Sequence, residues 1–112
     1  MPSTRAPRLG EVWDVDFDPR IGREQGGIRP ALVISNDSFN LVPNGLYIVA
    51  PITGTDRNIG YHVQVAPAEG GLSKPSGIRC DQTRAQSERR FLRRRGEVSP
   101  EIVRRVQAMV GD

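Results

Sequence analysis

The sequence predicts a mainly β fold, a small antiparallel barrel with one α-helix at its C-terminal end. Three observations predict it. Apolar residues alternate with polar ones, or run in short blocks, across most of the chain. Segments bearing glycine, proline and asparagine separate those blocks. A helix-start signal stands near the C-terminus, at Ser99-Pro100-Glu101. With 112 residues the chain holds one domain. Residues 1–9, with two prolines and no periodicity, read as a mobile arm, and residues 10–112 as the domain.

The elements follow in order. In Glu11–Pro19, Trp13, Val15 and Phe17 share one strand face and Asp14, Asp16 and Asp18 the other, a half-buried strand that Pro19 stops. Residues 20–29 carry three glycines and mixed charge and read as an exposed loop. Ala31–Ser35 is a continuous apolar run, as in a strand buried on both faces, and Leu46–Ile52 is a third strand. Tyr61–Val65 alternates as a fourth, ended by Pro67. Gly77–Asp81 is a short fifth, with a further extended piece near Arg84. The segment from Glu88 to Val98 fits either a helical turn or a last strand pair. Ser99 as N-cap and Pro100 in the first turn open the helix, Ile102, Val103, Val106, Met109 and Val110 form its apolar stripe, and Gly111 ends it.

Composition narrows the function classes. No apolar run is long enough to span a bilayer, and no apolar h-region follows the N-terminal arginines, so the expected compartment is the cytoplasm. A single cysteine, Cys80, excludes an internal disulfide framework and a cysteine-based zinc cluster. The net charge is +3, and Lys74 is the sole lysine beside fifteen arginines. Arginine carries a planar fork that pairs with phosphate through two donors, where lysine is a point charge. The charge is lopsided: Glu11–Glu24 holds five acids against two arginines, Arg79–Arg105 nine arginines against four acids. An anionic polymer is the natural partner of such a chain.

Several constellations stand out. The triplet Asp14, Asp16, Asp18 lacks the glycine and glutamate of a calcium loop, since Pro19 and Gln25 occupy those positions, and reads as a solvated strand face. No metal site is expected. His62, opposite Val63 and Val65 in alternation, reads as a surface residue, and a lone histidine cannot form a histidine acid–base pair. In an extended strand Arg79 and Asp81 share a face while Cys80 points into the core; the pair fits either a surface ion pair or an acid–base and phosphate-binding pair. The loop around Arg23, Glu24, Gln25, Gly26, Gly27 and Arg29 combines polar side chains with glycines that let backbone amides approach a phosphate, without the spacing of a Walker or dinucleotide loop.

Two of these segments carry a resemblance. GEVWDVDFDP followed by GREQGGIRPALVIS closely resembles the opening of the MazF/PemK (Kid) toxin endoribonucleases, and SGIRCDQTR resembles that family's second motif, nearer its PemK/Kid branch. The ending RRRGEVSPEIVRRV is similar to the family's basic stretch and C-terminal helix. The resemblance implies an SH3-like antiparallel barrel of the CcdB/MazF type, a homodimer, and inhibition by an antitoxin with an acidic disordered segment. It implies metal-free, cofactor-free cleavage of single-stranded RNA at short sequences in mRNA, leaving a 2′,3′-cyclic phosphate and a 5′-hydroxyl. Carried across by motif, Arg29, Thr53, Arg79 and Asp81 take catalytic positions, and Arg23, Glu24, Gln25, Gln82 and Arg84 line the RNA groove. Arg23 stands where Kid has a histidine. Arg29 and Arg79 suit stabilisation of the phosphorane, and Asp81, ionised at neutral pH, is the better base. Two other readings compete: a non-catalytic CcdB-like toxin that binds DNA gyrase, and a plain RNA-binding barrel. The arginines clustered in the two motifs argue against the first, and the scarcity of aromatics for base stacking argues against the second.

Overall fold

The computed structural model describes residues 6–17, 27–37, 45–54 and 60–111. Among the described residues, the strands and the C-terminal helix run in the order β1 (Glu11–Asp16), β2 (Ile28–Val33), β3 (Leu46–Thr53), β4 (His62–Val65), β5 (Ser76–Arg79), β6 (Arg84–Ser87), β7 (Phe91–Glu97) and α1 (Pro100–Val110). The sheet is antiparallel, ordered β4-β5-β3-β2-β1-β7, with β6 also on β3. No pairing among the described residues joins β4 to β7, so the barrel is an open one.

β5 and β6 lie along β3 as one interrupted strand. β5 pairs with the Ile52–Thr53 end and β6 with the Leu46–Val49 end. Between them Cys80–Gln82 forms a 3-10 turn, a kink that alternation alone does not mark. β2 begins three residues earlier than expected, so Arg29 and Pro30 are strand residues. The basic segment before the helix resolves into a 3-10 turn at Glu88–Arg90 and then β7.

Two apolar clusters stabilise the sheet, one on each face. Val12, Leu32, Ala50, Ile52, Val63, Ile78, Val98, Ile102 and Val106 belong to one, which α1 covers. Trp13, Val15, Phe17, Ala31, Val33, Tyr47 and Val49 form the other, with Phe91 packed against it. Burial of this apolar surface from water is what drives the sheet to curl around two layers. The helix is capped as its sequence dictates: the Ser99 hydroxyl accepts from the Ile102 amide at 3.3 Å, and Gly111 adopts a left-handed φ of 82°. Its buried stripe is narrower than expected, because Met109 is exposed.

Two expectations are corrected. Asp14 is not on a solvated face: its two carboxylate oxygens meet Arg95 at 3.2 Å and Arg93 at 3.4 Å, because β7 lays its arginines beside β1. His62 is not a surface residue. It does point away from Val63 and Val65, but its side chain is only 4% exposed, since the face it lies on is itself covered. Asp18, Arg23, Glu24 and Gln25 lie outside the described residues.

Candidate active site

The pairing registers bring the candidate residues to one face. Val15 pairs with Arg29, Thr53 with Gly77, and Gly77 with Gln64. Ala31 pairs with Pro51, so continuing that register by two residues sets Arg29 level with Thr53. Paired residues project to the same side of a sheet. Arg29, Thr53 and Gly77 therefore share the face of Val15, and Arg79, two residues beyond Gly77, shares it too. Strands about 4.8 Å apart and a rise of about 3.4 Å per residue place the Arg29 and Arg79 backbones about 12 Å apart. Two arginine side chains can converge on one phosphate across that gap.

At the kink after β5, Arg79 and Asp81 clamp each other. The guanidinium donates from Nη2 to Oδ2 at 2.7 Å and from Nε to Oδ1 at 3.3 Å, and both side chains are part-exposed. Each carboxylate oxygen keeps a second lone-pair direction for another donor. The kink is what makes the pair: it turns Asp81 back toward the guanidinium while Cys80 stays in the core. Burial, and then the Asp81 carboxylate, push the Cys80 thiol up to about 11, against a backbone hydrogen bond with Val63 that acts in the opposite sense.

His62 backs this pair. β4 pairs it directly with Arg79, and its Nε2 stands 3.9 Å from Asp81 Oδ1. The ring lies over Gly77, where an added Cβ would meet Nδ1 at 3.1 Å, and makes an edge contact with Tyr61. A side chain at position 77 would press on that ring, so glycine here serves close approach. Sequence alternation assigns the face of His62 correctly and misses its closeness to Asp81, because nothing local reveals the kink.

Arg84 lies on the same face, paired with Val49, and its guanidinium stacks 5.4 Å over the Phe17 ring. Gln82 is half-buried in the kink itself. Arg29 also lines a cavity of about 300 Å³ where β2 begins and β3 ends. The structure thus sets Arg29, Thr53, Arg79 and Arg84 on one sheet face, with Asp81 clamped to Arg79. Among the described residues, no group of three or more histidine, cysteine, aspartate or glutamate side chains is arranged to hold a metal ion.

Comparisons with known proteins place the chain in a family. Residues 8–112 match the family described as PemK-like, MazF-like toxin of type II toxin–antitoxin system. The chain is 34% identical over 97 residues to the endoribonuclease MazF9 of Mycobacterium tuberculosis, covering 82% of each chain. It is 38% identical over 86 residues to the endoribonuclease MazF of Staphylococcus saprophyticus, covering 75% of this chain and 71% of that one. The crystal structure of MazF from Deinococcus radiodurans superposes with a TM-score of 0.83 at 30% identity, covering 96% of this chain and 94% of that one. A MazE–MazF structure from the same organism superposes at 0.76, also at 30% identity and with the same coverage. A matched family over nearly the whole chain, two relatives above 30% identity and a shared fold lead to one conclusion: this chain belongs to the PemK-like, MazF-like family of type II toxin–antitoxin endoribonucleases.

Proposed function

We propose that the chain is the toxin of its pair, a metal-independent endoribonuclease that cuts single-stranded mRNA at a short recognition sequence in the cytoplasm. The observation that carries this reading is the Arg79–Asp81 clamp set on the same sheet face as Arg29 and Thr53. In-line attack by a ribose 2′-oxygen forms the 2′-O–P bond and breaks the bond from phosphorus to the 5′-oxygen. Asp81 takes the 2′-hydroxyl proton through its open lone pair. Arg29 and Arg79 face the phosphate oxygens, and their donors strengthen as negative charge grows on the phosphorane. Thr53 adds a neutral donor to one of those oxygens. The 5′-oxygen takes a proton from water as it leaves, and the products are a 2′,3′-cyclic phosphate and a 5′-hydroxyl.

Arg84 stacked on Phe17 extends the groove along the sheet, and Arg23, Glu24, Gln25 and Gln82 are assigned to it by motif. The working unit in this reading is a homodimer, held inactive by an antitoxin whose acidic segment covers the arginine face. A relative solved as a MazE–MazF complex supports that pairing. Incubating the purified protein with end-labelled single-stranded RNA in EDTA tests the reading. Discrete cuts with cyclic-phosphate and 5′-hydroxyl ends are expected. Cleavage only with added magnesium, or products bearing a 5′-phosphate, would overturn it.

A further inference from the structure

Arg79 and His62 both approach the Asp81 carboxylate, and they meet the same oxygen. Oδ2 takes Arg79 Nη2 at 2.7 Å, a short charge-assisted bond, whereas Oδ1 takes Arg79 Nε at 3.3 Å, a long one. That Oδ1 also faces His62 Nε2 at 3.9 Å. His62 is the sole histidine of the chain and reaches this point by register: it pairs with Arg79 across β4 and β5, so the two side chains leave the sheet on one side. Exposure is graded across the three residues. The Asp81 and Arg79 side chains are 28% and 20% exposed and that of His62 4%, which sets His62 behind the pair as seen from solvent. Its ring is held in place. Gly77 leaves room for it to lie on the backbone of β5, and the edge contact with Tyr61, 5.2 Å between centroids, closes another side.

During cleavage Arg79 serves two anions. A phosphate drawing on its fork weakens the hold on Asp81, and the long Nε–Oδ1 contact is the one to yield. A carboxylate released on that side can turn about its Cβ–Cγ bond, and a base that turns loses its alignment with the 2′-hydroxyl. At 3.9 Å the imidazole is not hydrogen-bonded to Oδ1, yet about 1 Å of approach makes the bond. Nε2 carries the proton it needs in the imidazolium and in one neutral tautomer. We propose that His62 is the positioning residue of the base: when Arg79 turns to the phosphate, His62 Nε2 donates to Asp81 Oδ1 and leaves Oδ2 aimed at the 2′-hydroxyl. No proton leaves His62 in this role; it acts through Asp81 and does not touch RNA. The proposal rests on the endoribonuclease reading with Asp81 as base, and adds to it the group that holds that base.

The test uses full-length protein, single-turnover cleavage at saturating enzyme, and binding of a fluorescent RNA oligomer carrying 2′-O-methyl groups throughout, which cannot be cleaved. His62→Gln puts an amide donor near the place of Nε2. His62→Asn keeps the amide but falls short of Oδ1, and His62→Leu keeps bulk without a donor. His62→Asn and His62→Leu are expected to cut about 10-fold to 100-fold more slowly, the scale of a misplaced catalytic group, while still binding the oligomer as wild type does. His62→Gln recovers most of that rate. The comparison of Asn with Gln decides the question alone if His62→Leu does not fold. In an Asp81→Asn background, His62→Asn should cost less than about twofold more, because the group it positions is gone, whereas a packing role would cost the same factor in both backgrounds. A wild-type rate in His62→Asn, a His62→Gln as slow as His62→Asn, or the full loss repeated in the Asp81→Asn background overturns the positioning role and leaves Asp81 as base. A near wild-type rate in Asp81→Asn removes the base reading and the proposal with it, and wild-type protein that cuts no RNA removes the ribonuclease reading itself.

Discussion

Asp81→Asn separates a base from a mere partner of Arg79. In the free protein the carboxylate holds the Arg79 fork through two contacts, at 2.7 and 3.3 Å, with the side chains 28% and 20% exposed. Asparagine keeps one acceptor and turns an amide donor toward the guanidinium, so one of the two contacts is lost. A part-exposed pair is worth at most about 1 kcal/mol. For a domain of this size that corresponds to a fall in Tm of less than roughly 6 °C. Activity behaves differently. Removing a general base costs roughly 100-fold to 10,000-fold in the chemical step. Binding should hold or tighten, because an anion beside the phosphate path disappears. Single-turnover cleavage of a fluorogenic RNA reads the chemical step, titration of the 2′-O-methylated oligomer reads binding, and thermal melting reads stability. A folded Asp81→Asn that cleaves within about fivefold of wild type would refute the role of Asp81 as base and leave it as an anchor for Arg79.

Three further outcomes are expected. Arg29→Lys keeps the charge but loses the planar fork, so it should fold and bind RNA yet cleave about 100-fold more slowly or worse, as for loss of one transition-state donor; near wild-type single-turnover rates would reduce Arg29 to general electrostatics. Glu11 is almost fully buried, and although burial alone would raise its pKa, hydrogen bonds from the Trp13 indole, Arg94 and the Arg8 amide hold it below the ordinary carboxylate value. A depressed folded value means stability that is present above the ordinary carboxylate pKa and lost as pH falls through the folded one, so Tm should drop on acidification. Glu11→Gln should cost about 2 kcal/mol at pH 7 and flatten that acid limb, as melting curves from pH 7 down to 3 would show. The Cys80 thiol, pushed up to about 11, should resist iodoacetamide at pH 8 in the folded protein and react when unfolded by urea; rapid alkylation of native protein would contradict its burial.

Local sequence determined much of this molecule. Alternation in β1 places Trp13, Val15 and Phe17 in one cluster, and the continuous apolar run places Ala31, Leu32 and Val33 in the doubly buried β2. Ser99, Pro100 and Gly111 delimit α1, because cap chemistry acts within a few residues of chain. The two motifs carried the family, and with it Arg29, Thr53, Arg79 and Asp81 as candidates. Tertiary structure decided the rest. Parity along a strand says which face a side chain takes, but not whether that face is covered, so Asp14 and His62 take the expected face, yet arginines of β7 cover most of the first and the second is buried. The clamp of Asp81 on Arg79 depends on a turn at Cys80–Gln82 that interrupts one long edge along β3, and the pairing of β3 with both β5 and β6 sets that break. One cavity gathers Arg29, Lys74 and Arg95 from segments far apart in the chain. Only long-range pairing brings such residues together, because a single sequence encodes its hydrophobic period at each position and its contacts only through the folded whole.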